Sequence, residues 1–213
     1  MEKQPTITNR TYLGILAILG WFALTLQFYL MMGNRTVSIS ETIIRYFSFY
    51  TILTNILVAS SSTLILLQPK SSLGKFFSQT SVKVAIAVYI TIVGVVYNAI
   101  LRYIWNPLGW DKVADELLHL IIPLLFIFYW LLFAHKEKLK WTNSFSWLIY
   151  PLVYFVWVLI FGALSGFYPY PFVNVTKLGY STAFLNSGII TIGLFLLSLL
   201  YILINNAINS KVK

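Results

Sequence analysis

Cysteine does not occur in this chain, and charge is scarce: acids and bases together make up 10% of the 213 residues. The first absence excludes disulfides, thiol nucleophiles, iron–sulfur clusters and cysteine-ligated zinc. The second excludes an ordinary soluble surface, which carries roughly 25% charged residues. Only six acids and two histidines are present. One histidine within the apolar segments does not support a bis-histidine haem, and no opposed acid–histidine motifs support a buried metal centre, so neither a metal nor a cofactor is expected. What remains is apolar, 59% hydrophobic and 17% aromatic. A single globular core cannot cover that much apolar surface, so lipid is the expected solvent. The net charge of +9 is scattered among loops between apolar runs. That pattern suits anionic lipid headgroups and control of topology rather than nucleic acid.

A helix needs about 20 largely apolar residues to cross a bilayer core. Six segments meet this, roughly 12–32, 43–67, 82–103, 114–134, 144–165 and 180–204. They are too long and continuous for β-barrel strands. The expected fold is all-α: a polytopic membrane protein with six transmembrane helices in one bundle, a single domain over 1–213. The first segment is too long for a signal-peptide core and is read as a retained span. Six spans put both termini on one side, with the 2–3 and 4–5 loops. That side holds ten of the basic residues and the other five. The asymmetry predicts a cell-membrane protein with cytoplasmic termini. The outer segments would then be GNRTVSISETIIR, RYIWNPLGWDKVADELLH and GFYPYPFVNVTKLGY, and four of the six acids lie there. Chemistry, if present, should face outward.

Within GWDKVADELLHLIIP, Asp115 and Glu116 stand four and three residues before His119, on one helix face. A carboxylate one turn above an imidazole can hold its tautomer and orientation. The plainer reading is that acids in a first turn complement the helix dipole, and that His119 is satisfied by a neighbouring carbonyl. An ionisable residue inside a span is costly and usually functional. In FSFYTILTNILV, Ser48, Thr51 and Asn55 form a polar stripe, with Thr54 on the next row. A hydroxyl near a histidine is the minimum for nucleophilic catalysis, and Asn55 could donate to an oxyanion. Alternatively, such hydroxyls bond their own helix carbonyls or join helices.

In VYNAILRYIWNP, Asn98 and Arg102 share a face. Arg102 either snorkels to headgroups or pairs with Asp115 or Glu116. Trp105 and Trp110 read as interfacial anchors, and Asn106-Pro107 as a turn. Tyr168 and Tyr170, fixed by Pro169 and Pro171, either belong to the aromatic belt or line one wall of a pocket. Glu41 and Arg45 read as an ordinary intrahelical pair. Asn174-Val175-Thr176 matches a glycosylation sequon. No role is assigned to His135.

The segments YFSFYTILTNILV, VYNAILRYIWNP, GWDKVADELLHLIIP and GFYPYPF together resemble a bacterial family of predicted six-helix membrane proteins, over nearly the whole chain. More distantly, they are similar to the animal androgen-induced membrane hydrolases, which cleave fatty acid esters of hydroxy fatty acids with an intramembrane threonine and histidine. That resemblance implies Thr51 as nucleophile, Thr54 as its alternate, and His119, followed by Pro123, as base. It also matches Tyr170-Pro171-Phe172, whereas Asp115 and Glu116 have no clear counterpart in that family. The expectation is a membrane hydrolase acting on a lipid-like ester, with Asp115 or Glu116 orienting His119, and with Asn55, Asn98, Arg102, Tyr168 and Tyr170 around the substrate. The partners expected are membrane lipid and that ester. The alternatives are non-catalytic binding or transport of a small polar or lipid ligand, or a structural membrane protein.

Overall fold

A computed structural model of the chain describes residues 6–134 and 137–212; His135 lies outside the described residues. Among them the fold is all helical, with no strand. The order is α1 (Ile7–Gly33), α2 (Ile39–Phe47), α3 (Tyr50–Leu67), α4 (Ser72–Ser78), α5 (Thr80–Ala99), a 3-10 turn (Leu101–Tyr103), α6 (Gly109–Glu116), a π-helical turn (Leu117–Ile121), α7 (Ile122–Leu132), α8 (Asn143–Trp147), α9 (Ile149–Ser165), a second 3-10 turn (Pro171–Val173) and α10 (Val175–Val212). Among the described residues six helices are long and apolar enough to cross a membrane: Ile7–Gly33, Tyr50–Leu67, Thr80–Tyr103, Gly109–Leu132, Asn143–Ser165 and Val175–Ser210.

Local chemistry sets the boundaries. Thr6 and Ser38 cap α1 and α2, their hydroxyls accepting the Asn9 and Glu41 amides at 3.3 and 3.2 Å. The second span begins at Tyr50 rather than near 43, because Ser48 and Phe49 leave the helix. There the backbone N–H groups reach back only three residues, Ser48 to Arg45 and Phe49 to Tyr46. The fourth span begins at Gly109 rather than 114, so its acids lie inside the helix. Gly166 closes α9 in a left-handed conformation (φ 72°) and Gly179 breaks α10 near its start (φ 76°), both angles that favour glycine.

The chain forms two compact units, Met1–Thr36 with Thr51–Lys136, and Val37–Tyr50 with Glu137–Lys213. In the first, every residue from Lys83 to Ile90 of α5 is buried, as a helix apolar on all sides requires. Gly20 of α1 lies against Ala59 of α3, so close that a Cβ on it would stand 2.8 Å from the Ala59 Cβ. The Tyr12 hydroxyl donates to Leu125 O at 2.9 Å, tying α1 to α7.

In the second unit, Asn206 of α10 clamps the backbone of Leu139, accepting its N–H at 2.8 Å and donating to its carbonyl at 3.0 Å. Buried Ser48 accepts from Trp157 Nε1, and its carbonyl accepts from the Tyr154 hydroxyl. Glu41 and Arg45 pair at 2.6 Å within α2. Burial raises the Tyr46 phenol pKa to about 12. Exposed Leu152, Val153, Ile160, Leu185, Ile189 and Ile192 give α9 and α10 the apolar outer faces expected against lipid.

Candidate functional site

The site lies within the first unit, where Pro123 and the π turn disturb one helix. Proline has no N–H, so the carbonyl four residues earlier, His119 O, has no α-helical donor. In the π turn the Ile122 N–H reaches five residues back to Leu117 O, which takes from Leu118 O the donor it would have in an α-helix. Two adjacent carbonyls are therefore left open at mid-helix, and a buried carbonyl needs a partner. Asparagines of neighbouring helices supply it. Asn55 Nδ2 of α3 donates to Leu118 O at 3.1 Å, and Asn98 Nδ2 of α5 to His119 O at 3.4 Å. Gly94 permits the approach of α5: a Cβ there would meet His119 O at 3.3 Å and Pro123 Cβ at 3.5 Å.

This arrangement fixes the ring of His119. Its Nδ1 lies 2.9 Å from the backbone O of Asp115 and 3.2 Å from the carboxylate Oδ1. Both are acceptors, and a carbonyl oxygen cannot donate, so Nδ1 carries the proton. In the neutral ring Nε2 then presents a lone pair. Facing it at 3.3 Å is Thr51 Oγ1, in the first turn of α3. Thr51 and Asp115 are 6% and 7% exposed and the His119 side chain 14%, so the three groups are shielded but not sealed.

Beside them, Arg102 donates from both terminal nitrogens to Glu116, at 2.7 and 2.8 Å, in a bidentate pair, and from Nε to Asn98 Oδ1 at 2.9 Å. Asn98 thus links the His119 backbone to the ion pair. Tyr97 joins both sets. Its ring stacks on His119 with centroids 4.1 Å apart and planes 19° apart, its hydroxyl donates to Asp115 Oδ2, and Arg102 Cζ lies 5.1 Å from its centroid.

The structure therefore brings together Thr51, His119, Asp115, Glu116, Asn55, Asn98 and Arg102. It separates the two acids, Asp115 at the imidazole and Glu116 at the guanidinium. Arg102 pairs with Glu116. Asn55 and Asn98 direct amide N–H groups at helix carbonyls; besides Leu118 O and His119 O they reach Thr51 O and Gly94 O. Thr54 is fully buried. Tyr168 and Tyr170 belong to the second unit. There Tyr168 covers Gly162, and Tyr170 is buried against Phe49 and Phe172, with ring centroids at 5.8 and 5.2 Å. Sequence reasoning missed Tyr97. Its one signal is its position beside Asn98, a turn before Arg102, in a helix expected to end at the polar pocket. Among the described residues no group of three or more His, Asp or Glu could hold a metal.

The chain matches no known family model, no curated protein and no solved structure.

Proposed function

We propose that the protein is an integral membrane hydrolase that cleaves lipid-like esters through Thr51 and His119. The observation that carries this is the 3.3 Å approach of Thr51 Oγ1 to a His119 Nε2 whose lone pair is exposed because Nδ1 is held as a donor by Asp115. A threonine hydroxyl is a weak nucleophile without a poised base. A separation slightly above 3.2 Å is usual before substrate tightens the contact.

In the first half-reaction Thr51 Oγ attacks the acyl carbon while its proton passes to Nε2. The tetrahedral intermediate collapses, the C–O bond to the alcohol breaks, and Nε2 returns the proton to the departing alkoxide. In the second, water attacks the acyl-threonine with His119 again as base, releasing the acid and restoring the hydroxyl. Asp115 stabilises the transient imidazolium, as the acid does in a catalytic triad. The position of Thr51 in the first turn of α3 puts the positive end of the helix dipole near the negative charge that develops on the acyl oxygen. Asn55 and Asn98, whose amides meet main-chain carbonyls, hold the helix that carries His119 rather than the oxyanion.

An ester with a long acyl chain suits a site set among apolar spans. His119 stands ten residues into the helix that begins at Gly109, ~15 Å along its axis. The polar groups gather where the third span ends and the second and fourth begin, so a substrate entrance belongs at that end. With cytoplasmic termini, supported by the distribution of basic residues, that entrance faces outward.

The test compares purified wild type with Thr51→Ala and His119→Ala for lipid-ester hydrolysis and for labelling by a fluorophosphonate probe. Wild type should react, and both variants should lose roughly 10²-fold or more. Equal activity in all three overturns the mechanism. A second reading, transport of a small polar or lipid ligand, draws on the π turn and Pro123 inside the fourth span, since transporters place ligands at helix irregularities. Ligand flux into proteoliposomes that survives Thr51→Ala would favour it.

A further inference from the structure

The geometry points to Tyr97 as the positioning residue of this site: it sets the plane and tautomer of His119 through ring stacking and through Asp115. For its catalytic consequence the assignment rests on the hydrolase mechanism above. For its structural content it stands on three contacts of one side chain.

The first contact is the hydroxyl. Asp115 is buried and has two oxygens to satisfy. Oδ1 lies 3.2 Å from His119 Nδ1, and Oδ2 accepts from Tyr97. Without the phenol, Oδ2 would be a buried charged oxygen with no donor, and the carboxylate would gain by turning away from the imidazole. Phenylalanine at 97 would keep the ring and lose this anchor. The second contact is the face-to-face stack on His119, at 4.1 Å and 19°. A ring that rotates about its Cβ–Cγ bond must leave that stack, so Tyr97 resists the flip that would put the carbons Cδ2 and Cε1 where Nδ1 and Nε2 now face Asp115 and Thr51. The same ring face offers negative electrostatic potential to the imidazolium formed when Thr51 gives up its proton. The third is the guanidinium of Arg102, 5.1 Å from the ring centroid. It ties Tyr97 to the Arg102–Glu116 pair, which limits movement of the phenol itself. Tyr97 is 3% exposed and its hydroxyl is engaged by Asp115, so its action passes through the two residues it holds.

Nuclear magnetic resonance of protein labelled with nitrogen-15 in histidine tests this. The chain has two histidines, so His135→Asn leaves His119 as the sole signal. In that background, with Tyr97 intact, His119 should show one neutral tautomer, protonated at Nδ1. Tyr97→Phe should admit a minor Nε2–H form, and Tyr97→Leu a mixture of comparable populations. A change confined to packing would lower the melting temperature without moving the tautomer ratio. Fluorophosphonate labelling should slow in the same order, by roughly 10- to 10²-fold for Tyr97→Leu, and Phe should recover part of the rate. Should Leu not yield folded protein, the near-isosteric Phe variant decides by the appearance of the minor tautomer. A wild-type Nε2–H tautomer, or spectra of the folded variants unchanged from wild type, overturns the assignment even if labelling still depends on Thr51. Labelling that is independent of Thr51 overturns the hydrolase mechanism instead, and the spectra still decide Tyr97.

Discussion

Asn55 shows how much one amide can do at this site. It is fully buried, and its Nδ2 bridges α3 and the π turn. Asn55→Asp removes the donor while preserving shape, leaving Leu118 O without a partner and adding a buried carboxylate. Loss of the donor alone should cost about 1–3 kcal/mol, read as a lower thermal midpoint in detergent. Asn55→Ala should fall between Asp and wild type. An Asp variant as stable as wild type would mean that Leu118 O finds another donor. The sequence offers Asn55 as a polar residue one turn below Thr51, and an oxyanion role follows naturally from that spacing. Its true acceptor is invisible there, because Leu118 O is open only once the π turn exists. Thr51 and His119 were legible for the opposite reason: an imidazole and a hydroxyl stripe stand out against apolar spans. Tyr97 was not, since it is one of 14 tyrosines in an aromatic-rich chain and its place beside Asn98 and before Arg102 draws the eye to the amide and the guanidinium first.

At the scale of elements, hydropathy found every span and misplaced the ends where polarity and helix geometry diverge. Ser48 and Phe49 are not strong helix breakers, so a helix running from 43 through 67 was the natural expectation. The break there makes Thr51 a first-turn residue, which the sequence could not announce. Hydropathy puts Asp111 ahead of the fourth span and Asp115 and Glu116 in its first turn, whereas the helix begins at Gly109 and carries all three. The packing of α1 on α3 depends on a residue whose importance is likewise silent in sequence. A Cβ at Gly20 would stand 2.8 Å from the Ala59 Cβ and 3.3 Å from its Cα, atoms that cannot swing aside. Gly20→Ala should therefore push the helices apart and destabilise by about 1–3 kcal/mol. Adding Ala59→Gly should restore most of the loss by exchanging the small residue across the contact. A single Gly20→Ala protein that melts like wild type would show that these helices are free to separate.

For the molecule as a whole, the decisive quantity is which way the Thr51–His119 end of the spans faces, because on the proposed hydrolase reading that sets the pool of esters within reach. The basic residues favour cytoplasmic termini, and that orientation would place the segment before α6 outside and the segment after α3 inside. The absence of cysteine makes the test direct, since any introduced thiol reacts without background. Asn106, between the third and fourth spans, and Gln68, just beyond α3, are both exposed and lie at the two ends of the first unit's spans. In intact cells a membrane-impermeant maleimide should label Asn106→Cys and spare Gln68→Cys, which should react only after permeabilisation. The opposite pattern would turn that end to the cytoplasm, leaving the Thr51–His119 geometry intact and giving the proposed hydrolase the cytosolic leaflet instead. Labelling of both in intact cells would mean that no membrane separates these loops, and then neither the spans nor a lipid-fed pocket could be as described.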